Sequence, residues 1–171
     1  MKAKLYALNG SGIAEDDGRA WSWREPCSSC GRSASSQTGD ITAFLVSDQR
    51  PVVRTDSGAV LLSVKMANAA RSAGFEFPFR SAALLDQEEN VIGEWYQLCG
   101  AEVLRVHSVQ REACGCVRQV RWNPLVVATP KTASDIFSLD VSESNILVSE
   151  RLLDFLRRMD TEVVGEPVET V

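Results

Sequence analysis

Apolar and polar positions alternate loosely over residues 1–8, with Leu5 and Ala7 set against Lys4 and Tyr6, and predict a short first strand. Residues 9–40 lose this pattern. They are rich in Gly, Ser, Asp and Arg, with turn signals throughout, and read as one long loop that contains Trp21 and Trp23. A loop of that length in a small domain needs something to fasten it. Ile41-Thr42-Ala43-Phe44-Leu45-Val46 fits a strand or a short helix, and Pro51-Val52-Val53 opens the next extended piece. Further on, Glu94–Cys99 and Val103–Val106 are dense in β-formers, and Val117–Trp122 alternates.

Two stretches share a longer pattern. Residues 59–79 run from the apolar Ala59-Val60-Leu61-Leu62 through Ser63 and a helix-like segment to Gly74-Phe75-Glu76-Phe77-Pro78-Phe79. Residues 144–168 run from Asn145-Ile146-Leu147-Val148 through Ser149 and a second helix to Val163-Val164-Gly165-Glu166-Pro167-Val168. Each reads as strand, helix and strand with a late proline, and the pair is a possible internal repeat. Ser63 and Ser149 suit the N-cap, where a hydroxyl accepts from free N–H groups of the first turn. Leu152, Leu153, Phe155, Leu156 and Met159 place an apolar stripe on the second helix.

With 171 residues, 44% of them apolar and 24% charged, the chain suits a single domain over 1–171 with a sizeable core. No apolar run is long enough to span a membrane, and Met1–Tyr6 lacks the apolar stretch of a secretory signal, so the expected location is cytoplasmic. The net charge of −5 argues against broad nucleic-acid binding and suits a basic protein partner.

Four of the five cysteines form two tight pairs, Cys27-Ser28-Ser29-Cys30 followed by Gly31, and Cys114-Gly115-Cys116. In a reducing compartment such pairs point to metal ligands before disulfides. Two ligands from each of two turns are what a closed, tetrahedral, structural zinc site requires. The expected ligands are therefore Cys27, Cys30, Cys114 and Cys116, pinning the 9–40 loop as a zinc-knuckle loop against residues 108–120. Cys99 and the single histidine, His107, are further possible ligands. Arg111, Arg118 and Arg121 flank the second pair and offer two other readings: a low-pKa redox thiol pair, or a basic stripe for nucleic acid. Catalytic patterns are thin. There is no nucleophile elbow and no phosphate-binding glycine loop, so the expectation is a protein that is not an enzyme.

With these residues in view, the chain resembles the bacterial double-CXXCG motif proteins, a family of toxin-immunity proteins. The resemblance rests on Cys27-Ser28-Ser29-Cys30-Gly31 after an N-terminal strand and on a second cysteine turn in the later half. It also rests on Ser134-Asp135-Ile136-Phe137-Ser138-Leu139 and on Asn145–Leu152 with its helix and final strand. The second turn here, Cys114-Gly115-Cys116, is one residue shorter than the family's. The resemblance implies neutralisation of a cognate toxin through a protein interface, with zinc as a structural staple. It identifies no toxin-contacting residue. The acidic balance suits a basic toxin, with Trp21, Trp23, Trp95 and Trp122 as possible anchors. The alternative is a zinc-ribbon module that binds nucleic acid. Together the readings predict an α+β domain with mixed or antiparallel sheet, two strand–helix–strand units and a zinc ribbon-like knuckle.

Overall fold

A computed structural model describes residues 4–171. Along the chain come β1 (Leu5–Asn9), β2 (Gly12–Asp16), β3 (Trp21–Trp23), β4 (Ser35–Gln37), β5 (Ile41–Leu45) and β6 (Val52–Thr55). Then follow β7 (Val60–Ser63), α1 (Val64–Ser72), β8 (Phe79–Leu85), β9 (Trp95–Leu98), β10 (Glu102–Leu104), β11 (Val109–Arg111) and β12 (Val117–Val120). The chain ends with β13 (Val126–Val127), β14 (Ile136–Leu139), β15 (Ser142–Ser149), α2 (Glu150–Met159) and β16 (Val164–Thr170). The expected first strand is β1; its residues 1–3 lie outside the described residues.

Six strands close a barrel in the order β2-β5-β8-β9-β7-β6, and six more form a mixed sheet in the order β10-β14-β15-β1-β16-β13. Two separate hairpins, β3–β4 and β11–β12, complete the strands. The molecule is therefore mostly β with two helices. Helices and a mixed sheet are present as expected, but the closed barrel was not. The supposed 9–40 loop in fact holds β2, β3 and β4. No helix of the described residues is long and apolar enough to cross a membrane.

Side-chain alternation explains how the layers stack. Ala14, Ile41, Ala43, Val53, Leu61, Leu84 and Trp95 fill the barrel, small residues leaving room for large ones. Val52, Val60 and Leu62 point outward from the same strands into a second core shared with both helices and one sheet face. That double burial accounts for the unbroken apolar run at 59–62. The second core takes Met66, Ala67 and Ala70 from α1 and Leu152, Leu153, Phe155 and Leu156 from α2. On the far side of the sheet, Leu5, Phe137, Leu139 and Leu147 form a third core with Leu104, Val106, Leu125 and Val127.

Both strand–helix–strand units form, and their local topology matches. Strand β9 lies between β7 and β8, antiparallel to each. Strand β1 lies in the same way between β15 and β16. The expected caps also form: Ser63 Oγ accepts from Met66 N at 3.3 Å and Ser149 Oγ from Leu152 N at 3.2 Å. One boundary differs. Gly74 lies in a turn and Phe75–Pro78 belong to no strand, because Gly74 at φ +82° follows the end of α1 and strand pairing resumes only at Phe79.

Barrel and sheet meet at Gly100, where a Cβ would lie 2.0 Å from Ser138 N and 2.6 Å from the Phe137 carbonyl carbon. Backbone cannot yield to that clash locally. Gly100→Ala is expected to destabilise the protein by at least about 2 kcal/mol, measured as a shift in the urea midpoint at unchanged slope.

Candidate metal centre

The cysteine turns sit at the tips of two arms. In the first, β3 and β4 pair Trp21 with Gln37 and Trp23 with Ser35, and the ladder continues through Arg24 N to Ala34 O at 2.8 Å. Cys27 N then donates to Arg32 O at 2.8 Å and Gly31 N to Cys27 O at 2.7 Å, which closes the turn. Gly31 has φ +70°, a conformation that side chains disfavour, so glycine follows the knuckle for a physical reason. In the second arm, Glu112 N donates to Cys116 O at 2.9 Å and Gly115 N to Glu112 O at 2.8 Å, with Gly115 at φ +88°.

The arms bring Cys27, Cys30, Cys114 and Cys116 together, with their sulfurs all within 4.8 Å of one another. Cys30 and Cys114 approach to 3.5 Å across the gap. Thiolates at the Zn–S distance in a tetrahedron lie ~3.8 Å apart, so the cluster has the right size for one ion. Its chemistry fits as well. Four sulfur donors without a carboxylate suit a thiophilic ion such as zinc. Backbone N–H groups of Ser29 and Cys30 point at Cys27 and, with help from the neighbouring thiols, lower its pKa to about 6. Cys116 is pushed up to about 12, first by Cys114 and then by Cys27 and Cys30, because neighbouring sulfurs compete for protons. At Cys30 the N–H of Arg32 pulls the pKa down, but burial and the Cys114 and Cys27 thiols together outweigh it and the thiol is raised. A divalent cation relieves this competition by replacing the protons.

An ion pair reinforces the clasp. Arg32 of the first arm meets Glu112 of the second, Nη2 to Oε1 at 3.1 Å, and Arg118 Nε reaches the same oxygen at 4.0 Å. Arg111 donates to Gly115 O at 3.2 Å and to Asp140 Oδ2 at 3.1 Å, joining the second arm to the sheet. At the base of the first arm, Gln37 and the buried Gln97 exchange amide hydrogen bonds of 2.6 and 2.8 Å. Sequence reasoning overlooked Arg32, Glu112, Gln37 and Gln97. Opposite charges beside the two cysteine turns were the available signal for the first two; nothing local marked the glutamines.

The other expected ligands lie elsewhere. Cys99 is in a separate cleft of about 510 Å³ with Arg80 and Gln97, and burial pushes its thiol up. His107 is exposed and outside the cluster, its N–H bonded to Val126 O. Two of the tryptophans are committed to structure: Trp95 fills the barrel, and Trp21 packs against that core while donating to Asp16 at 2.8 Å. Trp23 and Trp122 are exposed. No family model matches the chain, and no curated protein matches it in sequence.

Because a metal must displace thiol protons, affinity for zinc is expected to rise with pH, and acidification should release the ion. Glu112→Gln is expected to weaken zinc binding about tenfold by loosening the pair that aligns the arms. Competition with a chromophoric chelator across a pH series measures both.

Proposed function

We propose that this chain is an immunity protein that binds and neutralises a cognate bacterial toxin, with a structural zinc ion on Cys27, Cys30, Cys114 and Cys116. The observation that carries the reading is the convergence of the two cysteine turns, 84 residues apart between Cys30 and Cys114, into one four-thiol cluster. That is the arrangement the resemblance implies. The other segments behind the resemblance also adjoin: β14 pairs with β15, which runs into α2 through the Ser149 cap.

The zinc would act by holding structure. It would lock the arm tips together, while the partner engages a different surface. Charge supports that separation. Residues 24–32 and 105–122, which carry the cysteine turns, contain six arginines and two glutamates, a formal +4. The remainder therefore carries −9 of the total −5, so a basic toxin is drawn to the body rather than to the arms. We assign the chain no catalytic step.

A second reading, nucleic-acid binding by the basic arms, has that same +4 in its favour. However, Arg111 is paired with Asp140, and Arg32 and Arg118 share Glu112. Half of the arginines are thus already answered internally.

Co-expression with the toxin encoded beside the gene is expected to restore growth; failure to protect would sink the immunity reading. Purified protein should carry one zinc per chain by mass spectrometry. Cys27→Ser should lose it and lower Tm by about 5–15 °C without unfolding the three cores. Titration with DNA and RNA at low salt should give no binding, and a steeply salt-dependent complex would favour the second reading.

A further inference from the structure

The sheet face that carries the third core is covered only in part. Between the barrel rim and the segment ending in Trp122 and Leu125 lies a cleft of about 360 Å³. Three strands make its floor: register sets Ala7 of β1 between Glu166 of β16 and Leu147 of β15, with Val168 also lining it. Trp122 stands on the wall, 47% exposed, so part of its ring is free. On the barrel side, Asp56 is held in a tight turn. Gly58 N donates to Thr55 O at 2.9 Å, and Ser144 Oγ of the sheet donates to Ser57 O at 2.6 Å.

The cleft carries one cation and two carboxylates. Its one cation, Arg54, is engaged by two neutral amides, donating to Asn9 Oδ1 and, at 3.1 Å, to Asn145 Oδ1. Asn9 in turn donates to Glu166 Oε1 at 3.2 Å. Asp56 Oδ1 accepts from the N–H groups of Asp16 and Ser57. Neither Asp56 nor Glu166 enters an ion pair among the described residues. The asparagines thus occupy Arg54 and leave two carboxylates without a cation, giving the cleft a formal charge of −1.

We propose that this cleft seats a lysine or arginine side chain of a basic protein partner. Such a side chain has an apolar stem and a charged head. The stem matches the partly buried Ala7 and Val168 of the floor, and the head meets Glu166 and Asp56 with the Trp122 indole beside it. Because both carboxylates sit on a hydrogen-bonded frame, little ordering is needed on binding. The inference rests on the immunity reading for the identity of the partner, and apart from Trp122 it builds that partner's anchor from residues outside the two cysteine-bearing segments.

The test uses the zinc-loaded full chain and a fluorescein-labelled hexa-arginine peptide, with hexa-glutamate as the opposite probe. The variant Asp56→Asn/Glu166→Gln should weaken hexa-arginine binding about tenfold, and Trp122→Ala several-fold. A charge-matched Glu88→Gln/Glu89→Gln variant in an exposed turn should change it less than about twofold. Thermal melts confirm that each variant is folded. Equal loss in the turn variant, unchanged binding in the cleft variant, or preference for hexa-glutamate would overturn the inference. In the co-expression assay, wild-type protection that the cleft variant retains in full refutes the cleft alone. Absence of protection by the wild type refutes the immunity reading instead.

Discussion

The pairing of β1 between β15 and β16 is the constraint on which the rest of the molecule depends. It brings together strands far apart in sequence, so residues 10–141, which hold the whole barrel and also β10, β13 and β14 of this sheet, are enclosed between its central strands. Leu8 on one face enters the core shared with the helices and the barrel wall, while Leu5 on the other enters the core under residues 104–127. A slip of one residue would exchange these faces and expose both sets of apolar groups. Gly165 helps fix the position, since a Cβ there would meet the Leu153 side chain of α2 at 2.5 Å.

Within that frame the two arms are weakly supported. Their strands are three or four residues long, and they form sheets of two strands each. Isolated two-stranded ribbons are marginal in water. The first is fixed at its base by the Gln37–Gln97 amide pair, and the second by Arg111 on Asp140 together with Val109 and Val120 packed against the third core. Their tips rely on the sulfur cluster and on Arg32 with Glu112. Basic groups around four sulfur ligands also make electrostatic sense, because a tetrathiolate complex of a divalent ion carries a net negative charge.

The sequence displayed best what is local. Both serine caps, both helices and the grouping of cysteines were legible because each is set by residues a few positions apart, or by a side-chain type with few alternative uses. The barrel was not, for a physical reason. Its closure depends on parallel pairs between β2 and β6 and between β5 and β8, whose partners lie about 40 residues apart. Strands of four or five residues carry too little periodicity to announce such pairs. The 9–40 region looked structureless because β2 alternates only Gly12 and Ala14 against Ile13 and Glu15, and alanine and glycine hardly register as an apolar face. At the metal centre the ligands were legible from their spacing, but the glutamine pair that anchors the arm was not, since glutamine carries no pattern of its own.

The meeting of the chain's two ends also has a consequence in time. During synthesis β1 is made long before either of its partners, which lie beyond residue 141. The barrel strands, spanning residues 12–98, are complete well before that and can close while β1 waits with Leu5, Tyr6 and Leu8 uncovered. Chains fold domain-wise from the N-terminus as they grow, and unpaired strands attract foreign ones. Until β15 has been made, β1 is therefore an open β-template.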